Sequence, residues 1–253
     1  MLLHAGLLVA LVGAASILRP LRRLGIRRRR SAACLFALGA ALAGAVAIFP
    51  SDLVRLTSTS ERTASVLDDL MSAYHFNELH HIHVQATPER VWSAIREVRP
   101  GEIRLFLVLT GIRSLNPGRV FGRNVPSLES QPPILDVAQR GGFVILEERP
   151  GREIVLGTCG QFWRLRGSGR CPDVRNADEM LAFGRPGYAK ATLNFRVVPE
   201  GGGSRVTTET RILATDDGAR RRFAAYWRTI YPGSALIRRG WLAAIKRRAE
   251  RGG

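Results

Sequence analysis

Glu78 and His80 are the pair of side chains in this sequence best suited to acid–base chemistry. They stand two residues apart, so they share one face if the chain is a β-strand there. A carboxylate beside an imidazole can orient a polar group of a ligand or transfer a proton. The alternative is that the pair forms the polar end of a strand at the mouth of the domain and does no chemistry.

Histidines are concentrated in the same stretch, which raises the question of a metal site: His75, His80, His81 and His83. His81 and His83 share the strand face opposite to that of Glu78. The apolar residues Ile82 and Val84 share the face of Glu78 and mark it as the inward face. The two histidines opposite therefore point to solvent, and we predict no metal site.

The three cysteines form no CxxC motif and lie at no metal-ligating spacing from a histidine: Cys34, Cys159 and Cys171. Cys159 and Cys171 could form a disulfide in an oxidising compartment. Two free thiols are the alternative, because spacing alone fixes no geometry. No serine lies in a nucleophile-elbow pattern, and no helix follows glycines 201–203 as a phosphate-binding loop requires. The sequence therefore predicts no cofactor.

Regular elements must hold these residues in place. Alternation of polar and apolar residues predicts a first strand over 78–86. A helix then begins with Thr87 as N-cap, proline at its first position and an acidic residue in its first turn. A second short helix is predicted over 102–112, and further strands over 143–148 and 153–162.

A β-hairpin is predicted near the end of the domain. Residues 191–198 and 206–213 both alternate in polarity and flank a turn of three glycines. Glu209 and Arg211 could pair with Arg196 across the outer face of this hairpin, as a weak surface interaction.

The stretch 216–248 predicts a long C-terminal helix. Its large apolar residues recur at helical spacing on one face: Phe223, Trp227, Ile230, Ile237, Trp241 and Ile245. The opposite face is basic and includes Arg238 and Arg239. Pro232 lacks an N–H, so we expect it to kink the helix near Tyr231 or to split it. The apolar stripe needs a broad surface to pack against, and a sheet can supply it.

The first fifty residues have a different character. Segments 1–18 and 31–49 are apolar and close to the roughly 20 residues that cross a bilayer. Seven arginines lie between them: Arg19, Arg22, Arg23 and Arg27–Arg30. We predict a transmembrane helical hairpin over 1–50, a helical or flexible linker over 51–73, and a folded domain over 74–253. A cleavable signal peptide fits less well, because no positive charge precedes the first apolar run; a buried helical hairpin is a further alternative.

Charge bears on location and partners. Arginine-rich loops favour the cytoplasmic side, so the domain is predicted outside the cytoplasmic membrane. The formal net charge of +17 suits an anionic surface, either lipid or nucleic acid, although GC-rich coding is another explanation for the arginines. No ordered alternation of aromatic and basic residues suggests a nucleic-acid platform. Membrane lipids are therefore the predicted partners, and nucleic acid is not.

The segment His83–Trp92, with the sequence HVQATPERVW, resembles the opening of the START-like, or SRPBCC, superfamily. In that superfamily a first strand ends in a small residue, followed by Pro-Glu and a Val-Trp helix. The strand TETR at 208–211 and the helix carrying Tyr226 and Trp227 resemble it too. The resemblance implies an α+β helix-grip fold, a curved antiparallel sheet wrapped around a long C-terminal helix, with an apolar cavity between them. Members include lipid carriers and polyketide cyclases.

Three functions follow from these features. The first is a membrane-anchored module that binds an apolar or lipid-like small molecule in the cavity. The second is an enzyme similar to polyketide cyclases and dehydrases, acting on an apolar substrate. The third is a structural protein whose core is filled. The candidate cavity residues for the first two are Glu78, His80, Thr208, Thr210, Tyr226 and Trp227.

Overall fold

The computed structural model describes residues 2–18, 29–48, 54–55, 65–103, 106, 131–164, 171 and 174–251. The chain divides into two compact units. One unit holds the N-terminal helices together with residues Arg221–Tyr231, and the other holds the remaining elements. The helix predicted over 102–112 lies largely outside the described residues.

The first unit contains α1 (Leu2–Leu18) and α2 (Arg29–Ile48), where the sequence predicts two apolar helices. These helices approach closely at Gly13, where an added Cβ would lie 2.7 Å from the Cα of Phe36. Only glycine fits such an approach. Within the residues that the structure describes, no helix is long and apolar enough to cross a membrane. The two helices of the predicted hairpin are present. That they cross a membrane is not shown.

The second unit is an α+β domain. A two-stranded ribbon of β1 (Val54–Arg55) and β2 (Ala73–Tyr74) precedes a five-stranded sheet of β3 (Phe76–Val84), β4 (Val144–Arg149), β5 (Glu153–Gly160), β6 (Ala189–Glu200) and β7 (Gly203–Ala214). The sheet has the order β3-β7-β6-β5-β4 with all neighbours antiparallel. The helices after α2 are α3 (Val66–Leu70), α4 (Pro88–Glu97), α5 (Ile134–Arg140), α6 (Ala177–Ala182) and α7 (Asp217–Glu250). This architecture fits the predicted helix-grip fold.

The predicted hairpin is confirmed by β6 and β7, which pair from Glu200 with Gly203 to Ala189 with Ala214. The two residues between the strands, Gly201 and Gly202, have φ angles of 57° and 77°. Positive φ at both central positions is what a tight two-residue hairpin turn requires, and glycine adopts it at no steric cost.

The inner face of the sheet packs against the C-terminal part of α7. Trp241, Leu242 and Ile245 of α7 are buried in one apolar core with side chains of the central strands, such as Leu156 and Phe195. Their spacing places them on one face of the helix. The apolar stripe in the sequence predicts that a sheet packs against this helix, and the structure shows that packing.

Pro232 does not split the C-terminal helix, so that alternative of the prediction is wrong. α7 is one helix of 34 residues with Pro232 inside it, and Asp216 caps its start by accepting a hydrogen bond from the backbone N–H of Ala219 at 2.9 Å. Proline removes one backbone donor of the helix. The side chains that pack after Pro232 and the capped start before it keep the remaining hydrogen bonds in place.

Part of the outer face of the sheet is also covered. Ser65 caps α3, whose Leu67 is fully buried against the other face of β5 in a second apolar cluster. The side chain of Glu153 accepts hydrogen bonds from Ser65 Oγ at 2.6 Å and from the backbone N–H of Val66 at 3.0 Å. The last part of the predicted linker 51–73 is therefore packed into the domain.

A buried network replaces the predicted surface pairing of Glu209 and Arg211 with Arg196. Arg211 donates to Asp68 at 2.7 Å and to Glu209 at 2.8 Å, and its side chain is 3% exposed. The expectation of a solvated outer face was wrong at Arg211, because α3 covers the sheet there. Arg211 thus takes its partners from α3 and from its own strand.

Candidate functional site

A buried carboxylate lies on the inner face of the sheet. Glu78 of β3 is 2% exposed. Its Oε2 accepts a hydrogen bond from Ser234 Oγ of α7 at 2.7 Å, and its Oε1 lies 2.8 Å from Nε2 of His80. Which of the two groups donates in the second contact depends on the tautomer of His80. Both carboxylate oxygens of Glu78 therefore have partners.

The order of these contacts differs from that of a catalytic triad. In a triad the histidine contacts the serine and takes its proton. Here the carboxylate of Glu78 stands between Ser234 and His80 and is bonded to both. The arrangement fixes the positions of the carboxylate and the imidazole, and it does not define a hydrolase.

Arg238 adds a positive charge beside this carboxylate. It lies one helical turn after Ser234, and its Nη1 is buried with no hydrogen-bond partner in the described part of the chain, although the side chain as a whole is partly exposed. Burial lowers the pKa of Arg238 to about 10, and the negative charge of Glu78 acts in the opposite direction. The guanidinium therefore stays charged at neutral pH.

Thr208 and Thr210 complete the inner face on the neighbouring strand. Thr208 pairs with His80 and Thr210 with Glu78. Directly opposed residues of an antiparallel pair point to the same side of the sheet. Thr208 Oγ1 donates to the carbonyl of Asn194 at 2.7 Å, whereas Thr210 Oγ1 is buried and has no partner among the described residues. The structure thus brings four of the six predicted site residues together.

Trp241 extends the same region along α7. Its ring centroid lies 4.7 Å from that of Phe195, and the Cζ of Arg238 lies 5.7 Å from the Trp241 ring centroid. Its indole Nε1 is buried, and no described residue accepts its hydrogen bond. Ser234, Arg238 and Trp241 follow one another at steps of four and three residues, which places them on one helix face.

The remaining predicted site residues, Tyr226 and Trp227, belong to the other compact unit. They form an aromatic row along α7. The ring centroids of Phe223 and Trp227 are 5.7 Å apart, and those of Trp227 and Tyr231 are 5.6 Å apart. Their part in the predicted cavity stays a prediction.

Ser234 and Arg238 are the site residues that the sequence analysis missed. Arg238 was assigned to the basic solvent-facing side of the helix, but the structure buries its Nη1. The signal that could have found it is its spacing of three residues from Trp241, which places it at the edge of the apolar stripe. An arginine at such an edge can bury its stem and direct its head inward when a carboxylate is there.

Two other predicted features lie away from this region. Cys159 and Cys171 are joined by a disulfide, with their Cα atoms 5.4 Å apart, next to the second apolar cluster. In the described ranges, no group of three or more histidine, cysteine, aspartate and glutamate side chains is arranged to hold a metal ion.

Comparison with known proteins finds resemblance only among solved structures. No family model matches the chain, and no curated protein matches it. TTHA0849 from Thermus thermophilus is 11% identical, with a TM-score of 0.28, over 70% of this chain and 99% of its own. CV1439 from Chromobacterium violaceum is 11% identical, with a TM-score of 0.29, over 67% and 96%. CalU16 from Micromonospora echinospora is 12% identical, with a TM-score of 0.25, over 79% and 92%. Likenesses at this level carry no argument about function.

Proposed function

We propose that the domain binds an apolar small molecule between the inner face of its sheet and the C-terminal part of α7. The observation that carries this proposal is a set of buried polar atoms that have no partner among the described residues, Thr210 Oγ1, Arg238 Nη1 and Trp241 Nε1. Leaving such groups unpaired costs about 1–3 kcal/mol each. A protein selected only to fill its core replaces them with apolar side chains, whereas a binding site keeps them for a ligand.

The surroundings of these atoms favour a mainly apolar ligand. Trp241 belongs to an apolar core that includes Ile154, Phe195 and Ile245, all of them almost fully buried. Leu193 of the same core lies opposite Thr210 in the sheet. Small-molecule sites are commonly apolar with a few convergent polar groups. This combination supports a lipid-like ligand with one polar end, as the sequence resemblance to the START-like superfamily also implies. Ligand contacts from Tyr226 and Trp227 stay a prediction.

Binding of a neutral apolar dye to the full chain tests this proposal. Nile red is expected to bind saturably at one site and to be displaced by any lipid-like molecule that co-purifies with the protein. Thr210→Phe fills the inner face and should weaken binding by tenfold or more. Thr207→Phe adds the same volume at a nearby position on the opposite face of β7, and should leave binding unchanged. Unsaturable binding, or equal effects of the two variants, would contradict the proposal.

A second candidate is an enzyme that uses Glu78 and His80 for acid–base chemistry on an apolar, polyketide-like substrate. The contact of 2.8 Å between the carboxylate and the imidazole favours it. Native mass spectrometry separates the two candidates: a carrier releases its co-purified ligand with unchanged mass after prolonged incubation. An enzyme that dehydrates its substrate releases water and a ligand that is lighter by the mass of that water, and Glu78→Gln abolishes this change.

We propose further that the domain lies outside the cytoplasm and that the N-terminal helices associate with membrane lipid. The arginines between the two apolar segments support this placement. A disulfide between Cys159 and Cys171 is also typical of proteins in oxidising compartments.

A further inference from the structure

Three buried polar atoms on the inner face have no partner in the part of the chain that the structure describes, and two of their three residues are neighbours on α7. Arg238 and Trp241 lie on the same face of α7, with the guanidinium 5.7 Å from the indole ring. Thr210 lies directly opposite Glu78 in the sheet, and Glu78 is bonded to Ser234, one turn before Arg238 on the same helix. Thr210 and Arg238 therefore lie near the Glu78 carboxylate, and Trp241 lies beside Arg238 on the same helix face.

The three groups are mainly hydrogen-bond donors. A guanidinium and an indole N–H can only donate hydrogen bonds, and a threonine hydroxyl can donate or accept. All three of Arg238, Trp241 and Thr210 can therefore be satisfied at once by a ligand that presents acceptor oxygens. A ligand that presents N–H groups would leave the first two unpaired.

The charge of Arg238 restricts the chemical class of ligand that this group can bind. Both oxygens of Glu78 are already engaged by Ser234 and His80, and Arg238 makes no ion pair within the described part of the chain. A buried charge that is neither paired nor fully hydrogen-bonded is costly. Burial also lowers the pKa of Arg238, and the charge of Glu78 acts in the opposite direction.

We propose that Arg238, Trp241 and Thr210 bind the carboxylate of an apolar acid, such as a long-chain carboxylic acid. This inference rests on the proposed binding of an apolar ligand and names its polar end. The carboxylate supplies two acceptor oxygens and a negative charge, and guanidinium–carboxylate pairs are among the stronger hydrogen-bonded contacts in proteins. Glu78 then holds Ser234 and His80 in place beside the bound head group.

A pair of fluorescent probes that differ only at the head group tests the inference on the full chain. These are cis-parinaric acid and its methyl ester, which share the polyene chain. The wild-type protein is expected to bind the acid about tenfold more tightly than the ester, or better, as expected for a charge-assisted hydrogen bond. Arg238→Met should reduce the affinity for the acid to that for the ester and leave the ester affinity within about twofold, since only the charged contact is lost.

Arg239→Met is the matched control, because it removes the same charge from the exposed next position of α7 and should keep the preference for the acid. Trp241→Phe, which removes only the indole donor, provides a second measurement if Arg238→Met does not fold, and it should lower the affinity for the acid more than that for the ester. Equal binding of acid and ester by the wild-type protein would overturn the carboxylate assignment and leave the proposed function standing. Binding of neither probe would overturn both. A preference that persists in both variants would remove Arg238 and Trp241 from the site.

Discussion

Arg211 and Asp68 form an ion pair of 2.7 Å between residues 143 positions apart in the sequence. The guanidinium of Arg211 also donates to the backbone carbonyls of Leu67 at 3.3 Å and Met71 at 3.0 Å, and it lies 5.2 Å from the ring centroid of Tyr74. One buried arginine therefore holds both ends of α3 against the outer face of the sheet. The segment before β2 is part of the folded domain.

Replacing Arg211 with methionine should destabilise the domain strongly. The apolar side chain fills much of the same space, but it leaves Glu209 and two carbonyls without their donor. Removal of one partner from a buried ion pair costs about 3–5 kcal/mol. Urea unfolding of the full chain, followed by tryptophan fluorescence, measures the loss.

Arg205→Met serves as the control for this variant. Arg205 lies on the same strand and pairs with Glu200, but its side chain is 52% exposed. Exposed ion pairs contribute little, so the unfolding midpoint should hardly change. Similar effects of the two substitutions would mean that α3 does not depend on Arg211.

Removing α3 should have a larger effect than removing Arg211 alone. A fragment of residues 72–253 lacks Ser65, the partner of Glu153, and Leu67, which is fully buried. We expect it to unfold at lower urea than a fragment of residues 63–253, or to aggregate. Equal unfolding midpoints for the two fragments would show that the domain begins near β2, as the sequence analysis predicted.

The residues on the inner face of the sheet could be predicted better from the sequence than the coverage of the outer face, for a physical reason. Alternation along β3 and helical spacing along α7 are local patterns, so they predicted the face of Glu78 and the burial of Trp241. Coverage of the outer face depends on polar contacts over 87 and 143 residues, those of Glu153 with Val66 and of Arg211 with Asp68. No local pattern contains such contacts. The inward position of Arg238 was missed for the same reason. The charge beside it belongs to Glu78, on a strand far away in the sequence.

Trp241→Ala should destabilise the domain by about 3–5 kcal/mol, the range for truncation of a buried aromatic side chain. Trp241 is 5% exposed, and its ring stands against Phe195 in the core. Leu236→Ala on the same helix is the control, because Leu236 is 50% exposed and its truncation should cost less than about 0.5 kcal/mol. Denaturant unfolding of both variants provides the comparison. A loss below about 1 kcal/mol for Trp241→Ala would mean that the stripe does not face the core.

His75 should make the domain less stable as the pH falls. Its pKa is lowered by burial and by the charge of Arg220, against an opposing effect of Asp217, and its Nδ1 accepts a hydrogen bond from the N–H of Ala214 at 3.1 Å. The unfolded chain, with an ordinary histidine pKa of about 6.5, binds a proton more readily than the folded chain. Stability contributed by neutral His75 is therefore present above that value and is lost as the pH falls below it.

The variant His75→Asn keeps an acceptor for Ala214 and removes the titrating group. Its free energy of unfolding should fall less than that of the wild type between about pH 7 and pH 5. His81→Asn, at an exposed histidine, should follow the wild type. Parallel pH profiles for wild type and His75→Asn would rule out this contribution.

The location of the domain can be decided in living cells with a reporter fused after Gly253. We expect alkaline phosphatase, which is active only outside the cytoplasm, to be active in the fusion, and a fluorescent protein that fails to mature after export to be dark. The physical reason is the run of seven arginines between the two N-terminal apolar segments, since short basic loops resist translocation and stay inside.

Trapping of thiols in intact cells gives an independent readout: Cys159 and Cys171 should be oxidised, and the free Cys34 should remain reactive after unfolding. Replacing the seven arginines with glutamine should weaken the orientation and reduce phosphatase activity. A fluorescent, phosphatase-negative fusion with reduced Cys159 and Cys171 would place the domain in the cytoplasm, where a disulfide between these residues does not persist.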